Sequence, residues 1–216
     1  MITKPKPKTP TTKSVRGRRT GAETRQAILD AARRKFTIYG YDGVGVRDIA
    51  HKAGVTAVMV YRYFGSKEKL FEEVVECMLS PGAVVTKDQI GGDAATLSHD
   101  IVASLVAGTT PDKIVEGFLI LIRSAPSEQA AKILREKFTT HRSTPMMARM
   151  TGSEVQARCA IIMSIIAGLP LMRQIVKLPV AAESDEQELI HNLEPVFDFL
   201  INGGELAVRP TGGRHG

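Results

Sequence analysis

Residues 46–75 read VRDIAHKAGVTAVMVYRYFGSKEKLFEEVV, and this stretch decides the fold. Two short helices that cross closely need a small residue at the crossing, a turn that allows positive φ and an apolar anchor in the second helix. Ala50, Gly54 and Val60 meet these three needs. The buried side is completed by Val46, Ile49, Ala53, Val55 and Phe64. The pattern predicts a helix-turn-helix over residues 45–64, in which Thr56 caps a second helix suited to the major groove of DNA.

Charge is distributed unevenly along the 216 residues. Residues 1–71 hold 16 Lys and Arg against 5 Asp and Glu, a net charge of +11, whereas residues 72–216 hold 13 against 18, a net charge of −5. A basic first third is typical of a segment that meets a polyanion. Residues 1–19 contain three prolines, seven basic residues and no acid. This composition predicts a disordered basic arm, either solvated or placed against DNA.

Helical signals continue on both sides of the motif. Thr20 and Glu23 have the spacing of a capping box, Gly40 closes the helix that follows, and Ser66 opens a fourth helix. Later helix starts are indicated at Thr110–Asp112, at Ser127, at Ser153 with Gln156, and at Ser184 with Gln187. We therefore expect an all-α fold. A basic arm over 1–19 and a three-helix DNA-binding domain over 20–65 precede a larger helical ligand-binding and dimerisation domain over 66–205 and a flexible tail over 206–216.

Residues 46–75 also resemble the signature of the TetR family of transcriptional regulators, with its AGV turn, its YxYF element and its SKExL element. The resemblance is strong over residues 20–75, and the remainder is similar only in being helical. It implies a dimeric one-component repressor that binds an inverted repeat in double-stranded DNA. It also implies that a small-molecule effector moves the fourth helix, residues 66–79, and so releases the DNA.

The resemblance implies specific DNA contacts. Arg47, Ala57, Val58 and Met59 match positions that face base edges, and Tyr61, Tyr63 and Lys67 match phosphate contacts, although the two tyrosines could instead pack between helices. Arg18, Arg19, Thr56 and Arg62 complete the expected DNA-binding set. Arg47 has the geometry to bind guanine, and the apolar run Ala57–Met59 suits thymine methyl groups. Gly45 departs from the Ser or Thr that usually caps the first motif helix.

The C-terminal part offers candidates for an effector site and for a dimer interface. Methionines fill irregular apolar pockets as readily as they fill cores, and a partly buried guanidinium, as expected for Arg123 and Arg158, needs a carboxylate from the protein or from a ligand. The candidate ligand-binding residues are Phe118, Ile122, Met147, Met150, Arg158 and Met163. Helices over 154–176 and 184–202 carry more apolar surface than one core uses, which predicts an intersubunit four-helix bundle. Its candidate residues are Ile165, Leu169, Leu193, Phe197 and Leu200.

Other features argue against membrane, metal and catalytic functions. The longest apolar run, residues 160–172, has 13 residues and is shorter than a membrane span, so it predicts a buried core helix in a cytoplasmic protein without a membrane partner. Cys77 and Cys159 are expected to be core thiols, and the histidines do not fall at metal-ligand spacing. We therefore expect neither a cofactor nor enzymatic activity. The alternatives are an architectural DNA-binding protein without ligand control and a helical enzyme that is recruited to nucleic acid.

Overall fold

The computed structural model describes residues 19–79, 90, 92, 96–107 and 111–203, with the backbone alone for 111–114. The predicted arm up to residue 18, the tail over 206–216 and most of the connection over 80–95 lie outside these residues. The described part is helical and contains no strand, which confirms the all-α prediction. The helices are α1 (Gly21–Tyr39), α2 (Val46–Ala53), α3 (Ala57–Phe64), α4 (Lys67–Leu79), α5 (Leu97–Ala107), α6 (Pro111–Ser124), α7 (Glu128–Phe138), α8 (Thr144–Met147), α9 (Val155–Pro170), α10 (Pro179–Ala182) and α11 (Glu186–Asn202). Two π-helical turns, Thr139–Ser143 and Leu171–Val176, follow α7 and α9.

The two ends of α1 form as the sequence predicts. The Thr20 hydroxyl accepts from the Glu23 amide at 3.2 Å, and the Glu23 carboxylate accepts from the Thr20 amide at 2.8 Å. Gly40 ends the helix at φ +68°, where a Cβ atom would lie 2.2 Å from the carbonyl oxygen of Arg123. Glycine is therefore required at this position both for its backbone conformation and for the close approach of α6.

Three predicted helix caps are wrong in detail. Thr56 is the residue before α3, but its hydroxyl accepts no hydrogen bond from the helix. Helix α9 begins after Glu154, which has a left-handed conformation, rather than at a box formed by Ser153. Asp185 caps α11 by accepting from the amides of Gln187 and Glu188, in place of Ser184. A carboxylate one residue further along outcompetes the serine because it accepts hydrogen bonds more strongly.

The first hydrophobic core crosses the predicted domain boundary. Helices α1–α4 bury Ile28, Phe36, Ile49, Val60, Leu70 and Phe71, and α6 and α7 add Ile120, Ala130, Ile133 and Leu134 to the same cluster. The Phe71 ring meets those of Phe36 and Tyr41 at centroid distances of 5.0 Å each. Each large side chain buried in this way contributes about 1.5–3 kcal/mol to folding. Helices α6 and α7 are therefore part of the support of the amino-terminal helices.

The second hydrophobic core is formed by α5, α9 and α11 together with Met146 and Met150. Helix α5 packs along α11, and Ile101, Leu105, Ile162 and Phe197 are fully or almost fully buried between the helices. Phe197 and Leu200 belong to this core, with 0% and 3% exposure, so the prediction that their side chains form a dimer interface is wrong. Cys159 is buried here as expected, whereas Cys77 is exposed on α4 and is not a core thiol.

Helix α9 and the π-helical turn after it form one rod from Val155 to Val176. Pro170 lacks an amide and crowds the carbonyl four residues earlier, which accounts for the wider π-helical turn that follows. The rod has 22 residues and a window of mean hydropathy 1.9, enough to cross a membrane by length and composition alone. Only 17% of that window is buried, so the expected buried core helix is not observed in the single chain.

Candidate nucleic-acid interface

The turn between α2 and α3 has the geometry that the motif requires. Gly54 is left-handed at φ +71°, and its amide donates to the carbonyl of Ala50. Ala50 and Val60 are 3% and 1% exposed, so they lie at the crossing as predicted. Helix α3 is fixed from its far end by Arg25, whose guanidinium lies 4.7 Å above the Phe64 ring and also pairs with Glu73 of α4. The second motif helix is thereby held against α1 and α4.

The start of α2 is capped without a side chain at the cap position. Gly45 precedes the helix, and the Asp48 carboxylate accepts its amide at 3.0 Å. This is the return half of a capping box, and the other half, a cap side chain that accepts from the Asp48 amide, is missing because position 45 is glycine. Arg47 lies between the two residues and is exposed. Its guanidinium is therefore accessible at the N-terminus of α2, as the base-reading prediction requires.

The outer face of α3 brings together only part of the predicted set. Val58 and Tyr61 are 74% and 52% exposed, and Arg62 is exposed beside them. Their spacing of three and four residues places them on one face of the helix. Thr56 is exposed just before this face, and Met59 is half-buried at its edge. We call Val58, Tyr61 and Arg62 the reading face.

Ala57 and Tyr63 do not belong to the reading face. Both pack against the first core, and the Tyr63 hydroxyl lies 3.5 Å from the position that a Cβ atom would take at Gly21. The aromatic ring of Tyr63 therefore packs between helices, which was the alternative to a phosphate contact. Its hydroxyl lies beside Gly21, at the start of α1.

At the start of α4, Lys67, the predicted phosphate contact, packs over an aromatic ring. The Lys67 ammonium lies 4.1 Å from the centroid of the Tyr41 ring. Burial lowers the pKa of Lys67, an effect that the carboxylates of Asp42 and Glu68 oppose. Lys69, in the same turn, is exposed and was not predicted. Spacing in the sequence does not single out Lys69, because residues two apart on a helix do not share a face.

The basic residues before α1 are partly engaged with the motif. Arg19 donates from Nη1 to the carbonyl of Ala53 at 2.8 Å, so its guanidinium caps the C-terminal end of α2. Arg18 lies outside the described residues. The chain therefore enters α1 beside the helix-turn-helix turn, with Arg19 bound to protein.

The predicted ligand-binding residues occupy different environments. Phe118, Met147 and Met163 are half-buried, Met150 is buried in the second core, and Ile122 is 51% exposed on the surface of α6. The five residues therefore differ in how far a ligand could reach them. No group of three or more His, Cys, Asp or Glu in the described ranges is placed to hold a metal ion.

Arg158 and Arg123 find partners other than carboxylates, which corrects the expectation for both. Arg158 is buried, and its guanidinium donates to the carbonyls of Ser153 at 2.9 Å and Leu200 at 2.7 Å, and also to that of Thr151. Arg123 is exposed and donates to the carbonyl of Thr37. Backbone carbonyls at helix ends have no intrahelical partner, and they accept these donors in place of an acid. Arg158 thus holds the end of α11 and is not available to a ligand.

Comparison with known proteins gives the same assignment over most of the chain. The family model of the bacterial regulatory proteins of the tetR family matches residues 28–74, and that of the tetracyclin repressor-like C-terminal domain matches residues 95–201. The HTH-type transcriptional regulator BetI of Agrobacterium fabrum is 30% identical over 51% of this chain and 55% of its own length. The HTH-type transcriptional repressor AcnR of Corynebacterium efficiens is 44% identical over 22% of this chain and 26% of its own length.

The chain therefore spans about half or less of the length of the curated relatives it matches. A solved TetR-family regulator from Streptomyces coelicolor is 26% identical, with a TM-score of 0.59, and the match covers 86% of this chain and 98% of that one. These relatives are named as regulators of transcription, not as enzymes. With a helix-turn-helix, an exposed reading face and a larger helical C-terminal part, the chain belongs to the TetR family of DNA-binding transcriptional regulators.

Proposed function

We propose that this protein is an effector-controlled repressor that acts in the cytoplasm and binds an inverted-repeat operator as a homodimer. The observation that carries the proposal is the reading face of α3. It exposes Val58 and Tyr61 together with Arg62 on one side of the helix. Arg47 of α2 and Lys69 of α4 are also exposed. Together they supply an apolar contact for thymine methyl groups and donors for phosphates and guanine.

A second copy of the chain is the proposed cover for the apolar side of α9. Ile161 and Met172 are 48% and 40% exposed, and with Ile165 and Gly168 they follow helical spacing along one side of the rod. A Cβ atom at Gly168 would meet nothing within 4 Å, so the side is open at its centre. Leu169 and Leu193 remain candidates because they are only partly buried. A two-fold axis through this side would pair two reading heads on one face of DNA.

The proposed effector is a small lipophilic molecule. Phe118, Met147 and Met163 are half-buried apolar side chains in the C-terminal part, and flexible thioethers adapt to varied ligands. Arg158 is excluded from this site because its guanidinium is already bonded to four backbone carbonyls. Without an exposed acid or base assigned to it, the site favours a neutral or weakly polar compound.

The proposed function is tested by selecting bound sequences from a random pool of DNA duplexes at physiological salt. An enriched inverted repeat supports a dimeric operator-binding protein, and it supplies the probe for an effector screen. Binding that is strongly salt-dependent without an enriched sequence would indicate an architectural protein instead. If saturating concentrations of every lipophilic compound tested leave operator affinity unchanged, effector control is overturned while DNA binding stands.

A further inference from the structure

The DNA-binding helices share their core with elements from far along the chain. Leu134 and Ile133 of α7 are 4% and 6% exposed in the same cluster as Ile49, Val60 and Leu70. Helix α7 packs along α4, and α6 packs along α1. Removing α7 would therefore uncover the core on which the reading face rests. The sequence boundary between DNA-binding and C-terminal regions does not coincide with a boundary between cores.

Hydrogen bonds join the corner between α6 and α7 to the turn between α1 and α2. The Tyr41 amide donates to Ser124 Oγ at 3.1 Å, and Ser124 is fully buried. The Ser127 hydroxyl donates to Asp42 at 3.0 Å, and Glu116 accepts from the Thr37 hydroxyl at 3.3 Å. The first of these contacts is buried and the other two are partly buried, and a small displacement would leave their donors unpaired. The α6–α7 corner and the amino-terminal helices are thereby held as a unit.

The second core lies apart from this unit, and among the described residues α6 contacts the π-helical turn Leu171–Val176. Its large buried side chains come from α5, α9 and α11 with Met146, and none of those described on these helices belongs to the first cluster. One link is the π-helical turn Thr139–Ser143, where Arg142 donates to the Leu79 carbonyl at the end of α4 at 2.7 Å. Ser143 in the same turn faces Cys159 of α9. π-Helical turns are locally irregular and frequently occur at functional positions.

We propose that α7 and the C-terminal end of α6 move with the DNA-binding helices as one body. The joint on which an effector acts then lies inside the C-terminal part, between the two cores, at the π-helical turn Thr139–Ser143. Binding between the cores would rotate one body against the other and change the spacing of the two reading faces in a dimer. This regulatory consequence rests on the proposed function, whereas the division into two bodies does not.

Native-state hydrogen exchange on the full chain, without DNA or effector, tests the division. At low denaturant we expect the amides of α7 to exchange together with those of α2–α4, with a common denaturant dependence. The amides of α5, α9 and α11 should form a second group. If α7 exchanges with α5 and α11, or if all protected amides open in a single transition, the proposal is overturned.

Two matched leucine substitutions sharpen the test. Leu134→Ala, in the first core, should raise the open population of the α2–α4 amides at least about 30-fold and leave α5 and α11 unchanged. Leu105→Ala, equally buried in the second core, should do the reverse. If either variant raises the open population of both groups of amides equally, the division into two bodies is contradicted. Should Leu134→Ala fail to fold, Arg123→Ala, which removes the hydrogen bond to the Thr37 carbonyl, should destabilise the same group of amides by a smaller factor.

Failure of this inference is separable from failure of the proposed function. Hydrogen exchange requires neither an operator nor an effector, so it reports on the two bodies even if no sequence is enriched from the DNA pool. Conversely, an enriched operator combined with a single exchange transition would leave the repressor intact and remove the joint between the cores.

Discussion

At the scale of residues, the reading face is apolar where base-reading surfaces are commonly polar. Val58 is 74% exposed, whereas Val60 of the same helix is 1% exposed and contributes to the stability of the core. An apolar side chain in the major groove distinguishes thymine by its methyl group. Discrimination by hydrogen bonds is then left mainly to Arg47 and Arg62, both of them exposed.

Val58→Ala should lower operator affinity about fivefold, which corresponds to about 1 kcal/mol for the methyl groups removed from a thymine contact. Affinity for unrelated duplex DNA should not change, because a methyl contact does not bind phosphate. Fluorescence anisotropy with both duplexes measures this ratio. Val180→Ala is the matched control, since Val180 is 75% exposed on α10. An equal loss on both duplexes would show that Val58 acts through folding.

At the scale of elements, caps that are not evident from local spacing hold the helices that matter most. The Asp48 carboxylate accepts from the amide of Gly45 just before α2, whereas Gly45 has no side chain that could accept from the first-turn amides. The carboxyl end of α11 is held by Arg158, whose donors reach carbonyls from residues 151, 153 and 200. The end of α11 is thus stabilised by Arg158, which lies some forty residues earlier in the chain, in addition to its local cap residue.

Asp48→Ala should lower Tm by about 2–4 °C, the effect of losing about 1 kcal/mol of capping in a chain of this size. Gly45→Ser alone should give little gain, because its Cβ atom would lie 3.0 Å from the Asp48 carboxylate. In the Asp48→Ala background the same serine should restore most of the loss, since the crowding is gone and its hydroxyl can cap the helix. Thermal unfolding of the three variants by circular dichroism decides; no recovery in the double variant would refute this account.

Arg158→Met should destabilise the protein by about 3 kcal/mol, because several carbonyls lose a charged donor in a buried site. Arg158→Lys should recover only part of this, since an ammonium cannot reproduce the fork of a guanidinium. Urea unfolding measures both, with the exposed Arg135→Met as control. A ligand-binding arginine would instead leave unfolding unchanged in the absence of ligand.

At the scale of the whole molecule, the uncovered rod of α9 is the main feature that the single chain leaves unsatisfied. A soluble chain rarely exposes a contiguous apolar face of this length without a partner. The acidic balance of residues 72–216 does not favour an anionic surface as that partner. A second copy of the chain presents an identical face, which is apolar and is not an anionic surface, so it fits as the partner.

Ile161→Glu should weaken self-association at least about 100-fold, because each dimer would bury two unpaired carboxylates. Operator affinity should fall in parallel, since a monomer binds only one half-site. Sedimentation velocity over a range of concentrations measures the first effect. Ile38→Glu, which alters an isoleucine of α1 that is 54% exposed, should leave association unchanged. An unaltered dimer for Ile161→Glu would place the interface elsewhere.

The sequence by itself determined the helices and the DNA-binding motif. The box at Thr20, the left-handed Gly54, the buried Val60 and the outward Val58 depend on contacts within a few residues, and local spacing encodes such contacts directly. The family resemblance rests on the same short-range pattern.

Only the tertiary structure decided which apolar and charged side chains face each other. Phe197 enters the chain's own core, Ile161 remains uncovered, Arg158 binds carbonyls and Tyr63 packs inward, and local spacing specifies none of these outcomes. Their positions depend on contacts between segments far apart along the chain, and helical periodicity specifies an apolar side without specifying the partner that covers it. The sharing of the first core by α4 and α7 has the same cause.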